Sequence, residues 1–195
     1  DHFARVNTAM TRGVPIVKVG VIHPVESFWL HWGPNDKSGL IREELDKNFQ
    51  DLTKWLLFGS IDFDFISESL LPGLCPHADA PLRVGEMKYD VIVVPGCETL
   101  RSSTLDRLEK FREDGGRVIF LGEAPTLEDA QPSDRGERLF KNSEHIPYQR
   151  ASLLTALDRS RTVCIRDDDG YLSDGLIYQP VSYTHLRAHE TRRHL

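Results

Sequence analysis

The sequence predicts an α/β protein of the flavodoxin-like, doubly wound type, with a mainly parallel sheet of five strands. Three observations support this class. Short runs rich in valine and isoleucine alternate with stretches of helical periodicity. Residues 16–22 and 89–94 are apolar almost throughout, as expected for strands that a parallel sheet buries on both faces. The connections between the predicted elements are short, which favours repeated βαβ units.

The first half of the chain holds two predicted strands and one long helix. Residues 16–22 form the first strand, which ends at His23-Pro24. Apolar residues recur at helical spacing over residues 38–58, and Gly59 follows in the position where a C′ glycine is favoured. Residues 61–66 alternate apolar and acidic side chains, which indicates a half-exposed strand at a sheet edge.

The second half supplies three more predicted strands. Residues 89–94 form the clearest central strand, and a helix capped by Ser102 or Ser103 is expected to run to Glu113. Residues 117–122 are the fourth strand. The elements expected after it are a long surface loop over residues 123–137, a helix around 151–158, a fifth strand over 162–166 and, over 176–178, the first strand of a further domain.

Composition and charge exclude several functional classes. The 195 residues are 39% hydrophobic and 28% charged, with a formal net charge of −6. An acidic chain without clustered lysine and arginine is not expected to bind nucleic acid. No apolar run approaches the roughly 18 residues that a membrane span needs. The three cysteines are far apart and no nucleotide-binding motif is present, so we expect no disulfide framework, no metal, no cofactor and a cytoplasmic location.

Functional sites of doubly wound sheets lie at the carboxyl ends of the strands. Three segments of this sequence are predicted to lie there: residues 23–35, 95–100 and 122–126.

The first of these segments is chemically the richest. It contains Glu26, Trp29, His31 and Trp32. Aromatic rings beside a carboxylate and an imidazole suit a sugar, because its C–H faces stack on indoles while its hydroxyls bind polar groups. The alternative, which we favour, is that the aromatic residues pack against a neighbouring domain or subunit.

The second segment places Cys97 where a nucleophile elbow would stand. An elbow needs glycine two places either side of the nucleophile, and here Pro95 and Thr99 occupy those places. A buried or loop thiol is therefore favoured over a catalytic one.

Glu98 and Glu123 follow neighbouring strands and are candidates for a paired-carboxylate site of a glycosidase or a metal centre. Solvated loop acids are the alternative that we favour.

An ordered set of motifs, covering most of residues 3–180, resembles the middle of a large multidomain glycoside hydrolase. The motifs are Arg5-Val6-Asn7, Thr11-Arg12-Gly13-Val14-Pro15, residues 19–27 ending in His23-Pro24-Val25-Glu26-Ser27, Gly59-Ser60-Ile61-Asp62-Phe63-Asp64-Phe65-Ile66, Tyr89-Asp90-Val91-Ile92-Val93-Val94-Pro95 and Gly115-Gly116-Arg117-Val118. The set is similar to the class I glutamine-amidotransferase-like domain that follows the catalytic barrel in α-L-rhamnosidase-like enzymes. It is more distantly similar to the trimerisation domain of β-galactosidases.

The resemblance implies a parent enzyme that hydrolyses O-glycosidic bonds with two carboxylates on an upstream barrel. The chain would then be a non-catalytic accessory and interface domain. Its partners would be the carbohydrate substrate of the parent, the neighbouring barrel and β-sandwich domains, and a second copy in a homo-oligomer. The alternative left open is a stand-alone class I amidotransferase-like hydrolase that uses Cys97.

The resemblance also implies a division of the chain. Residues 1–15 are expected to end the barrel domain or its linker, residues 16–166 to form the flavodoxin-like domain and residues 167–180 to begin the next β domain. Residues 181–191 resemble the translation of a sequencing-library adapter, so we expect 181–195, with His185, His189 and His194, to be a non-native tail of a metagenomic fragment.

Overall fold

The computed structural model describes residues 2–11, 13–173, 175–178 and 180–182. The helices are α1 His2–Met10, α2 Val25–Leu30, α3 Asn35–Phe58, α4 Leu71–Leu74, α5 Ser102–Glu113, α6 Arg135–Lys141 and α7 Arg150–Ala156, with a 3₁₀ turn at Asp158–Ser160. The strands are β1 Val14–Pro15, β2 Val19–Ile22, β3 Phe63–Ile66, β4 Leu82–Val84, β5 Met87–Tyr89, β6 Val91–Pro95, β7 Thr99–Leu100, β8 Arg117–Leu121, β9 Leu127–Glu128, β10 Gln131–Pro132, β11 Glu144–Ile146 and β12 Val181–Ser182. Within this described part, no helix is both long and apolar enough to cross a bilayer.

The chain divides into two compact units. The smaller comprises Asp1–Ile16 with Tyr178–Leu195, and the larger comprises Val17–Ile177. In the smaller unit β1 pairs antiparallel with β12, and the backbone N–H of Ile16 donates to the carbonyl of Pro180 at 3.0 Å. Residues 181 and 182, the first two of the expected adapter-derived tail, therefore form a strand pair, while 183–195 lie outside the described residues.

The larger unit is built on a five-stranded sheet in the order β11-β8-β6-β2-β3, with every neighbouring pair parallel. Numbered along the chain, these strands have the order 2-1-3-4-5, which is that of flavodoxin-like folds. The predicted α/β class and the parallel five-stranded sheet are confirmed. The acidic alternation of residues 61–66 correctly marks β3 as an edge strand.

The prediction of a fifth strand over residues 162–166 is wrong. Residues 162–166 form no strand apart from an isolated bridge between Arg166 and Leu172. The fifth position is filled by β11, which pairs with β8. This strand has only three residues, two of them polar, so periodicity does not reveal it. The Arg117 guanidinium holds it in place, donating twice to the Glu144 carboxylate at 2.8 and 2.9 Å.

Several element boundaries also differ from prediction. Residues 23–35, for which no helix was predicted, contain helix α2, and α3 begins at Asn35 and not at residue 38. Residues 89–94 belong to two strands, because β5 ends the β4–β5 hairpin before β6 begins. The N-cap of α5 is Arg101, not Ser102 or Ser103, and the Arg101 side chain makes no capping hydrogen bond. The expected loop over 123–137 contains the β9–β10 pair and the start of α6.

The end of α3 explains why its glycine is needed. Gly59 has φ −90°, so it is not the left-handed residue; Ser60, at φ 56°, is. A Cβ on Gly59 would lie 2.2 Å from a methyl of Leu154 in α7. The glycine therefore permits close approach of two helices and does not serve as a left-handed cap.

The sheet separates two apolar layers. Ile92 and Val94 of β6 face one layer, which also contains Phe111 of α5. Val91 and Val93 face the other, which contains Leu56 of α3. The alternation follows from the two-residue period of a strand, and it buries both faces of the sheet.

Candidate functional site

A cavity of about 820 Å³ opens in the larger unit at the carboxyl ends of β2, β6, β8 and β11. The strand ends contribute His23, Pro95, Gly122 and Tyr148, and α3 contributes Phe49. The strand order reverses between β2 and β6, and open α/β sheets bind ligands at that point. The volume lies within the range of small-molecule sites.

Two glycines and one tyrosine form the base of the cavity. Gly96 follows β6 with φ 49°, and Gly122 follows β8 with φ 94°, both in the left-handed region that favours glycine. A Cβ on Gly96 would lie 3.6 Å from the Tyr148 ring, and a Cβ on Gly122 would lie 3.2 Å from it. The Tyr148 hydroxyl donates to the carbonyl of Asn48 in α3 at 2.8 Å, and burial raises its pKa. The ring is thus fixed across both strand ends.

Aromatic rings and imidazoles form the walls. His23 lies edge-on to Phe49, with ring centroids 5.2 Å apart. Burial lowers the pKa of His23, so its imidazole is neutral at physiological pH and can both donate and accept a hydrogen bond. A second imidazole, that of His145, stacks on Phe140 with a centroid separation of 4.5 Å. Both residues line the cavity.

The charged groups of the cavity are all acidic. Glu44, Asp46 and Glu123 lie among its lining residues, and no lysine or arginine of the described chain does. Glu123, one member of the predicted carboxylate pair, therefore lies at the cavity. Glu98, the other member, does not line it.

Cys97 faces the core and not the cavity. Its side chain is 2% exposed, and its Sγ lies 3.6 Å from the carbonyl oxygen of Pro95. Burial raises the pKa of the thiol well above its ordinary value, and the negative charges of Glu68 and Glu26 raise it further. The left-handed residue directly after β6 is Gly96, which carries no side chain.

Three of the predicted site residues hold α2 on the sheet. Glu26 accepts from the Arg101 guanidinium at 2.5 Å, and the His31 imidazole contacts the Glu98 carboxylate at 2.6 Å. Between them, the Ser27 hydroxyl accepts from two backbone N–H groups of the β6–β7 segment at 3.0 and 3.2 Å. These contacts give Glu26, His31 and Glu98 positioning roles in the structure.

Trp29 and Trp32 are 59% and 70% exposed, respectively. The guanidinium of Arg42 lies 5.2 Å from the centroid of the Trp32 ring. Phe28, whose ring centroid is 6.1 Å from that of Trp32, lines the cavity. An aromatic surface, which we define as the exposed Trp29 and Trp32 with the partly buried Phe28, therefore adjoins the cavity.

Sequence reasoning missed two features of this region. The first is Glu68, which is 2% exposed and accepts the backbone N–H of Arg101 at 2.8 Å; burial raises the pKa of its carboxyl. The second is Tyr148. A proline lies at the end of β6 and within two residues after the ends of β2 and β11, and Tyr148 directly follows the last of these prolines.

Among the described residues, no cluster of three or more histidine, cysteine, aspartate or glutamate side chains is arranged to hold a metal ion. The sequence matches no known protein-family model, and no curated protein is similar enough to count as a relative.

Proposed function

We propose that this chain carries a non-catalytic accessory and interface domain of a carbohydrate-active glycoside hydrolase, of the class I amidotransferase-like variety, which lies next to the catalytic barrel. The observation that supports the non-catalytic role is the turn after β6. In elbow enzymes the residue at such a turn bears the nucleophile. Here it is Gly96, and the ring of Tyr148 lies over it.

The aromatic surface supports an interface role. Trp29 and Trp32 expose most of their indole rings at a sheet end where doubly wound proteins place functional loops. Aromatic residues are enriched at protein interfaces. The Glu26–Arg101 ion pair and the His31–Glu98 contact hold α2 in one position, so the surface is ordered before a partner arrives.

A second candidate is a stand-alone amidotransferase-like hydrolase that uses Cys97. One observation favours it: Cys97 directly follows the left-handed Gly96 at the switch point of the sheet. Its burial and raised pKa oppose it, because the thiolate is the nucleophilic form.

The decisive experiment is to sequence the source DNA beyond both ends of this chain. An in-frame barrel upstream and a β-sandwich downstream are expected. A start codon shortly before Asp1, with a stop soon after residue 180, would overturn the proposal.

The interface role is then tested in the full protein. Replacing Trp29 and Trp32 together with alanine is expected to reduce glycosidase activity or oligomer content. The matched control is Tyr171→Ala, which removes another exposed aromatic ring of the same unit. Equal effects of the double variant and the control would contradict the interface role.

A further inference from the structure

We infer that the cavity at the switch point of the sheet is a binding site for one neutral sugar ring. The inference rests on the carbohydrate class of the proposed function and extends it to a ligand site on this domain itself.

The lining provides the two kinds of contact that a pyranose needs. Phe28, Phe49 and Phe140 present apolar rings on which the C–H face of a sugar can stack. The imidazoles of His23 and His145 lie beside these rings, and His23 is in the form that both donates and accepts. Hydroxyl groups around a sugar ring require that combination.

The charge of the lining selects among ligands. Glu44, Asp46 and Glu123 repel phosphates and carboxylates, and no basic side chain of the described residues is present in the lining to offset them. Nucleotides, sugar phosphates and uronic acids are therefore disfavoured. A neutral sugar meets no such repulsion, and carboxylate oxygens can accept its hydroxyl protons.

Contacts within the protein also fix the base of the cavity. Tyr148 is fixed by its hydrogen bond to α3, and the two left-handed glycines let the ring lie close to the strand ends. A cavity fixed in this way binds without a large ordering cost.

Binding is tested by saturation-transfer NMR on the 195-residue chain, with a neutral hexose and the corresponding uronic acid as separate probes. We expect the neutral sugar to bind with a dissociation constant on the order of millimolar. The uronic acid is expected to bind at least about fivefold more weakly. Absence of neutral-sugar binding, or tighter binding of the uronic acid than of the neutral sugar, would overturn the inference.

Two pairs of variants locate the binding. Phe28→Ala is expected to weaken neutral-sugar binding at least about tenfold, whereas Trp29→Ala, on the same helix but outside the cavity, is expected to leave it unchanged. Equal effects of these two variants would contradict binding in the cavity. Urea denaturation of both variants reports whether either one has lost its fold.

The second pair carries less risk to folding, because both side chains are exposed. Glu123→Lys is expected to strengthen uronic-acid binding about fivefold, while Glu113→Lys, an identical charge change away from the cavity, is expected to have no effect. An unchanged affinity in Glu123→Lys would contradict the assignment. The flanking DNA tests the proposed function separately. Sugar binding by a chain whose gene encodes no barrel would overturn the proposed function and leave the sugar site standing.

Discussion

Thiol accessibility separates the two candidate functions, and the structure predicts it for each cysteine. Cys75 and Cys97 are buried, and burial raises the pKa of both thiols; Cys164 is exposed. A buried thiol reacts only when its surroundings open. Even a local opening that costs about 3 kcal/mol exposes it less than about 1% of the time. We therefore expect Cys97 to react at least about a hundredfold more slowly than Cys164.

The assay treats the native protein with a disulfide reagent and follows thiolate release, with mass-spectrometric mapping of each modified cysteine. Cys164→Ser should abolish the fast phase, and Cys97→Ser should leave it unchanged. Protein unfolded in urea supplies the reference rate for all three thiols. Modification of Cys97 as fast as Cys164 in the native protein would refute the burial argument and restore Cys97 as a candidate nucleophile.

Three further predictions concern stability, each measured by urea denaturation. Tyr148→Phe loses the hydrogen bond to α3 and should cost about 0.5–1.5 kcal/mol, whereas Tyr171→Phe, at an exposed ring, should change nothing; equal costs would contradict the role of that bond. Burial raises the pKa of the Glu68 carboxyl in the folded state. The wild type therefore loses stability as the pH rises from the pKa of this carboxyl in the unfolded chain through its pKa in the folded protein. Glu68→Gln should therefore be more stable than wild type at neutral pH and equal to it in acid, and a pH-independent difference would contradict this. Gly116→Ala would place a Cβ 2.2 Å from a buried aromatic ring and should cost about 1–3 kcal/mol, whereas Gly73→Ala, with no atom within 4 Å, should be neutral or stabilising.

The central sheet could be predicted because its inner strands carry their signal in their own residues. Residues 91–95 are apolar on both faces, and both faces are buried, so composition alone identifies the strand. The short strand β11 was missed because its stability comes from elsewhere. Arg117, 27 residues earlier, binds Glu144, and no local pattern reports that contact.

The site was predictable in position but not in composition. Glu26, His31, Glu98 and Glu123 do lie at the carboxyl ends of the strands, where the fold class places function. Which of them faces the cavity depends on side-chain direction, which the sequence does not state. The Glu98 carboxylate contacts His31, whereas Glu123 lines the cavity.

The two apolar layers divided by the sheet have a consequence for how the protein tolerates change. Leu56 and Phe111 belong to different layers, and even the adjacent residues Val93 and Val94 do. Substitutions that share no packing partners add their effects on stability, whereas those within one layer interact. Each layer can therefore be repacked independently, so one face of the sheet can adapt to a new neighbour while the other preserves the framework beneath it.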